Sequence, residues 1–243
     1  MIVVKGSARG LLHRIVLPSL LICFAAALAS AQQTTIKSFT LSGEPVSNSA
    51  QTASGEILIN RGPEDTGNEF VTFIFIFESG FNGGIKTICA NGMLGGGCEI
   101  PAGTSGTTFR FQGTNDLAVV SSWTVQAYVE TSTASQPLSM KPATYGLSVS
   151  PDVIVSPPGA VLTFTVTRAP ASLLGSLILL SWAPGQASFP NVSIPAGKSS
   201  GQSSTKGPYD PATSETLTGP VCAVVGSNGS ICVATATLTV NPG

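Results

Sequence analysis

The feature that most constrains this chain is a two-residue alternation of apolar and hydroxyl side chains. In "VLTFTVTR" Leu162, Phe164 and Val166 alternate with Thr163, Thr165 and Thr167, and in "ATATLTV" Ala234, Ala236, Leu238 and Val240 alternate with Thr235, Thr237 and Thr239. Successive side chains of an extended strand point to opposite faces, so this period predicts strands with one face in a core and one in water. "TTFRF" sets Phe109 and Phe111 opposite Arg110, and "GEILIN" puts Ile57 and Ile59 on one side. No stretch after residue 31 keeps apolar residues at helical spacing for three turns, because Gly, Pro and Asn interrupt too often. Many short strands with frequent turn signals predict an all-β sandwich architecture.

Two stretches break the alternation, "FVTFIFIFE" from Phe70 to Glu78 and "SLILLSW" from Ser176 to Trp182. Both are expected to be strands covered on both faces, with a partner surface on the outer face as the alternative. In "WTVQAYVE" Trp123 shares a face with Val125, Ala127 and Val129 and is expected in the core. Tyr128 falls opposite, with Thr124, Gln126 and Glu130, and is the better candidate for an exposed ligand contact.

The tetrapeptide "IPAG" occurs at Ile100 to Gly103 and again at Ile194 to Gly197. The same order of segments surrounds each copy: an opening strand, an alternating strand and a long apolar strand before it, then Ser and Thr, a short strand, a loop and an alternating strand after it. Proline fixes φ and glycine permits a sharp turn, so the tetrapeptide marks one corner of a module that stands twice in tandem. The first module is expected at residues 32–136, a linker at 137–143 where the periodicity lapses, and the second module at 144–243. The first copy carries about fourteen extra residues before its "IPAG".

Lys5, Arg9 and Arg14 precede the apolar run from Ile15 to Ala29, and Ala29-Ser30-Ala31 follows with small side chains. This order predicts a secretory signal peptide, residues 1–31, cut after Ala31. The run is shorter than the roughly 20 residues of a spanning helix and Pro18 interrupts it. His13 and three of the eleven basic residues leave with that segment, so twelve acidic residues face eight basic ones and no histidine remains. Such a balance offers no footprint for nucleic acid and no basic face for a membrane, whose only contact is through the signal segment. Charged residues make up 9% of the chain, against about 25% in ordinary globular proteins.

Export places Cys89, Cys98, Cys222 and Cys232 where they can oxidise. Their close spacing in pairs favours two local disulfides, Cys89 with Cys98 and Cys222 with Cys232. A zinc site is the weaker reading, since the short Cys-x2-Cys spacing is missing. In "CAVVGSNGSIC" a hairpin turn is expected at Asn228-Gly229, and a strict two-residue loop there would set Cys232 opposite Val225. The second bridge therefore requires a wider loop or a bulge.

"FPNVSIPAGKSS" followed by "CVATATLTVNPG" resembles the tandem Ig-like β-sandwich repeats of bacterial secreted and cell-surface proteins. The resemblance covers Thr144 to Gly243 well and Thr34 to Ser139 loosely. It implies an exported spacer, adhesion unit or partner-binding domain, secreted, periplasmic or at the cell surface, whose partner is an extracellular protein or a glycan; it leaves the oligomeric state open.

Several fragments imitate catalytic signatures. "GKSSG", Gly197 to Gly201, fits the Gly-x-Ser-x-Gly elbow but no histidine is left to act as its base. Ser203 and Lys206 have the spacing of a serine–lysine dyad, which needs a helix to bring the two together. Asp65-Thr66-Gly67 matches the tripeptide of aspartic proteases, and Glu64, Asp65, Asn68 and Glu69 group oxygen ligands that calcium uses, though at the spacing of no defined calcium loop. The expected function is a structural, adhesion or binding role without catalysis, cofactor or metal. The alternative is a secreted hydrolase with a carboxylate pair, for which Asp65 and Glu69 are the first candidates.

Overall fold

The computed structural model describes residues 33–62, 65–80, 82–155, 160–184, 187–206, 215–225 and 231–243; the signal segment and the Asn228-Gly229 turn lie outside them. Among the described residues there are strands and no helix. The first half holds β1 (Thr35–Ser42), β2 (Thr52–Asn60), β3 (Glu69–Ser79), β4 (Ile85–Cys89), β5 (Leu94–Gly95), β6 (Gly97–Ile100), β7 (Gly106–Gly113), β8 (Ser121–Val129) and β9 (Ser132–Met140). The second holds β10 (Thr144–Ser150), β11 (Val153–Val155), β12 (Val161–Ala169), β13 (Ser176–Trp182), β14 (Ala187–Ile194), β15 (Ser200–Lys206), β16 (Leu217–Val224) and β17 (Cys232–Asn241).

Each half closes two sheets over one core. In the first, β1-β2-β7-β4-β5 packs on β6-β3-β8-β9; in the second, β10-β12-β15 packs on β11-β17-β16-β13-β14. Pairing is antiparallel except for β11 against β17. Seven strands of each half correspond: β1, β2 and β7 with β10, β12 and β15, and β6, β3, β8 and β9 with β14, β13, β16 and β17. A three-strand core of one sheet against a four-strand core of the other is the Ig-like arrangement. The extra residues of the first half form β4 and β5, added to the edge beside β7.

The alternation explains the cores. Ile57, Phe109 and Phe111 from one sheet meet Val71, Phe73, Val125 and Ala127 from the other, with Phe73 and Phe109 rings 4.5 Å apart and Phe111 edge-on to Phe73 at 5.2 Å. In the second half Leu162, Phe164 and Val166 meet Ile178, Leu180, Trp182 and Val221. Each such side chain contributes about 1.5–3 kcal/mol on full burial.

Two expectations need correction. Residues 137–140, expected as linker, belong to β9, which pairs with β8 along its whole length and turns Leu138 and Met140 into the core. Pro137 is compatible with a strand here because β9 is the edge of its sheet, where a missing N–H costs no ladder bond. The long apolar strands β3 and β13 are covered on one face only. Phe70, Ile74 and Ile76 are 53%, 47% and 42% exposed, and Leu177 and Leu179 are exposed likewise. Each sheet has a single sheet packed on it, so the outer faces stay in water.

Candidate functional site

The two "IPAG" corners have the same geometry. Gly103 and Gly197 lie at φ +74° and +75°, and the N–H of the next residue donates to the proline carbonyl in both, Thr104 to Pro101 at 3.1 Å and Lys198 to Pro195 at 3.0 Å. Glycine at the third position of such a turn marks type II, which a side chain at that position would strain. Each corner sits against the loop that follows β2 or β12, and the two loops are fastened differently.

In the first half the fastener is Arg61. Its Nε donates to the Thr104 carbonyl at 2.7 Å, Nη1 to Asp65 Oδ2 at 2.9 Å and the Gly67 carbonyl at 2.8 Å, and Nη2 to the Ile100 and Pro101 carbonyls at 3.2 and 2.9 Å. All five guanidinium N–H groups have acceptors. Asp65 also accepts the Thr34 hydroxyl at 2.7 Å, and that bond, with the Arg61 charge, holds its carboxyl below the usual range. Burial, then the negative charges of Asp65 and Glu130, push Glu69 up. Asn68 donates to Glu99 and accepts the Ala102 N–H at 2.8 Å. Asp65 and Asn68 therefore hold the corner in place, Glu64 lies outside the described residues, and no described cluster of His, Cys, Asp and Glu is arranged to hold a metal ion.

In the second half the fastener comes from the first. Asn48, in the β1–β2 loop at φ +43°, is 2% exposed. Its Nδ2 lies 2.8 Å from the Gly175 carbonyl, 3.1 Å from Ser172 Oγ and 3.2 Å from Asp116 Oδ2. Its Oδ1 accepts the Leu174 N–H and its carbonyl the Leu173 N–H, both at 2.9 Å. The β12–β13 loop that Asn48 grips meets the second corner through Ser172, whose carbonyl accepts the Gly197 N–H and whose N–H donates to the Lys198 carbonyl. Beside Asn48, Arg168 is buried with its side chain fully covered. It donates to Asp116 Oδ1 from Nη2 at 3.0 Å and Nε at 3.2 Å, and to the carbonyls of Ser47 and Pro170. Tyr145 donates its hydroxyl to Asp116 at 2.8 Å; burial and the Asp116 charge push its phenol above the ordinary range. This junction joins the halves through a charged pair and an amide removed from water. The sequence reading missed it, although Arg168 stands on the inward face of β12 with Leu162, Phe164 and Val166, where a lone charge signals a buried partner.

The other sequence candidates separate. Cys89 bonds Cys98 and Cys222 bonds Cys232, with Cα atoms 5.4 and 5.5 Å apart. The second bridge uses a bulge: β16 and β17 slip register between Ala223 and Val224, so Cys232 lies opposite Val224. Trp123 is buried. Tyr128 is half-buried and donates its hydroxyl to Gln126 at 2.6 Å. Ser203 and Lys206 lie three apart on strand β15, hence on opposite faces, which excludes the dyad. Thr40, Ser42, Ser54, Glu56, Thr108 and Arg110, together with Ile88 and Ala90, line an open depression of about 600 Å³ on the outer face of the β1-β2-β7-β4-β5 sheet.

No family model and no curated relative matches this chain. Among solved structures it is similar to the crystal structure of CBD12 from CALX1.2, at 10% identity and a TM-score of 0.31, over 87% of this chain and 100% of that one. So faint a likeness carries no argument; the Ig-like reading rests on the paired sheets themselves.

Proposed function

We propose that the chain is an exported, non-catalytic structural, adhesion or binding protein of a bacterial envelope or its surroundings, in which two Ig-like units follow a cleaved signal peptide. The observation that carries this reading is the Asn48–Asp116–Arg168 junction. Units joined by a linker move relative to one another by default. Here a buried ion pair and a buried amide cross between them, and separating the halves would strip Arg168 of the Asp116 charge and Asn48 of the Gly175 carbonyl and the Leu174 N–H. A fixed angle between two sandwiches suits a spacer or a presenting surface. Two disulfides add support for an oxidising compartment. An extracellular protein or a glycan is the expected partner class, and the depression, where hydroxyls, Glu56 and Arg110 stand beside apolar Ile88 and Ala90, suits the polar and apolar faces of a glycan.

One observation favours the hydrolase alternative: Asp65 and Glu69 are neighbours whose proton affinities are pushed apart. Against it, Asp65 is engaged by Arg61 and Thr34, and its loop braces the first corner. A peptidase and glycosidase screen of the wild type beside Asp65→Asn, together with a glycan pull-down, separates the readings. Turnover that disappears in Asp65→Asn would end the non-catalytic reading.

A further inference from the structure

The two halves differ at one sheet edge. In the second, β13 is paired on both sides to its last residue, with β14 from Ser176 to Trp182 and with β16 from Leu179 to Trp182. In the first, the corresponding β3 pairs with β8 from Thr72 to Ser79, but β6 covers only Glu69 to Thr72 on the other side. One further bond, Phe73 N–H to the Gly96 carbonyl at 2.7 Å, ends that cover. In a strand, alternate residues aim N–H and C=O to the same side. Phe75 and Phe77 therefore aim theirs the way Phe73 does, toward a flank where no described strand lies. Their neighbours Ile74 and Ile76 are exposed on the outer face, and Phe77 is 38% exposed.

An uncovered, apolar edge is a template for another strand, and proteins ordinarily blunt such edges with Lys, Pro, Gly or a bulge. The opposite edge of this sheet is blunted by Pro137 in β9. From Phe70 to Glu78 the β3 edge carries no Lys, Pro or Gly, and its register shift against β8 falls after Phe77, past the two residues whose groups are open.

We propose that β3 pairs antiparallel with β3 of a second copy of this chain across a twofold axis through Ile76. The register follows from the free groups. An antiparallel hydrogen-bonded pair exchanges both of its bonds, so Phe75 of one copy stands opposite Phe77 of the other and Phe77 opposite Phe75. Two N–H and two C=O groups on each copy are then all satisfied, with Ile76 facing Ile76 at the centre. Glu78, the one charged residue between Ile74 and Ser79, falls opposite Ile74, so no like charges meet, and Thr124 already donates its hydroxyl to it. The same patch serves both copies, so the contact closes at two. The outer strands of the joined sheet are both β9, each carrying Pro137, and growth stops there. This goes beyond the proposed role and holds whether or not the protein is exported.

The test uses the full chain expressed in an exporting host and purified in the form that mass spectrometry records. Light scattering after size exclusion should give a dimer at micromolar concentration. Ile76→Lys, which sets two ammonium groups against each other on the axis, should raise the dimer dissociation constant at least tenfold without changing the circular dichroism spectrum. Leu177→Lys, on the fully paired β13, should leave the dimer intact. Ile76→Cys should give a disulfide-linked dimer on mild oxidation, since non-hydrogen-bonded antiparallel partners stand about 4.5 Å apart at Cα. A wild type that is monomeric at high micromolar concentration, a dimer indifferent to Ile76→Lys, or an Ile76→Cys chain that does not cross-link overturns the proposal.

Discussion

Replacing Asp116 by alanine should be among the most damaging changes in the molecule, although the residue lies in a loop between strands. The Arg168 side chain is fully covered and that of Asp116 is 12% exposed. In Asp116→Ala the guanidinium keeps the Ser47 and Pro170 carbonyls but loses its only counter-charge among the described residues, and the Tyr145 hydroxyl loses its acceptor. Breaking a buried pair from one side costs about 3–5 kcal/mol. Arg168→Met should cost less, about 1–3 kcal/mol, because methionine fills most of the volume and Asp116 keeps Tyr145 and Asn48 while reaching some water. The double variant contains no unpaired charge, so its cost should fall short of the sum by about 2 kcal/mol or more. The two tryptophans make the assay specific, since Trp123 reports the first half and Trp182 the second. Urea unfolding of single-tryptophan variants should give coincident midpoints on the wild-type background and separate midpoints on the Asp116→Ala background. A cost under about 1 kcal/mol for Asp116→Ala, or strictly additive costs in the cycle, would refute the buried-pair argument.

Gly103→Ala and Gly197→Ala should each cost about 1–2 kcal/mol in urea unfolding, and equally, because an added Cβ meets no atom at either site and only the left-handed φ is penalised. Each disulfide closes a short loop and should contribute about 2–3 kcal/mol; Cys89 and Cys98 are buried whereas Cys232 is exposed, so alkylation and mass spectrometry during mild reduction should find the Cys222–Cys232 pair open first. Glu69 has its proton affinity raised in the folded state, so its protonated form favours folding and the benefit is lost as pH climbs through values above 4.5. Glu69→Gln should therefore raise the melting temperature at pH 7 and flatten its dependence on pH above 4.5; an unchanged profile would mean that neither burial nor the Asp65 and Glu130 charges act on Glu69.

Strands were legible wherever one face met a core and the other met water, because the alternation then appears in the residue types, as in β12 and β17. It failed on β9, whose outward positions hold Thr133, Ser135, Pro137 and Ser139 while Ala134 and Gln136 dilute the inward ones; an edge strand under light burial leaves little pattern. It misjudged β3 and β13 for the opposite reason, since apolar residues stand on their wet faces and residue type alone does not say what lies above. The disulfides could be paired from spacing because both are local. The groups that Asn48, Asp116 and Arg168 bring together across the halves lie 29 to 127 positions apart, and no short-range rule links such residues. Asp65 shows the converse: a tripeptide with a catalytic look acquires its meaning from Arg61 and Thr34, which turn the carboxylate into a brace.

The first disulfide and the open edge of β3 have a common origin. In the second half the chain leaves β13, turns back as β14 and covers β13 to its end. In the first half the chain leaving β3 crosses to the opposite sheet, pairs with β7 as β4, and returns to β3 only as the short β6. Cys89 ends β4 in one sheet and Cys98 lies in β6 in the other, so their bond pins both ends of the detour and joins the two sheets. A hairpin free to peel from β7 could lie down beside Phe75 and Phe77 as β14 does beside β13. The covalent tie opposes that rearrangement. The Cys89–Cys98 bridge thus ties β4, held in the sheet of β7, to β6, held beside β3, and the second half, whose corresponding edge is already closed, carries its bridge elsewhere, across β16 and β17.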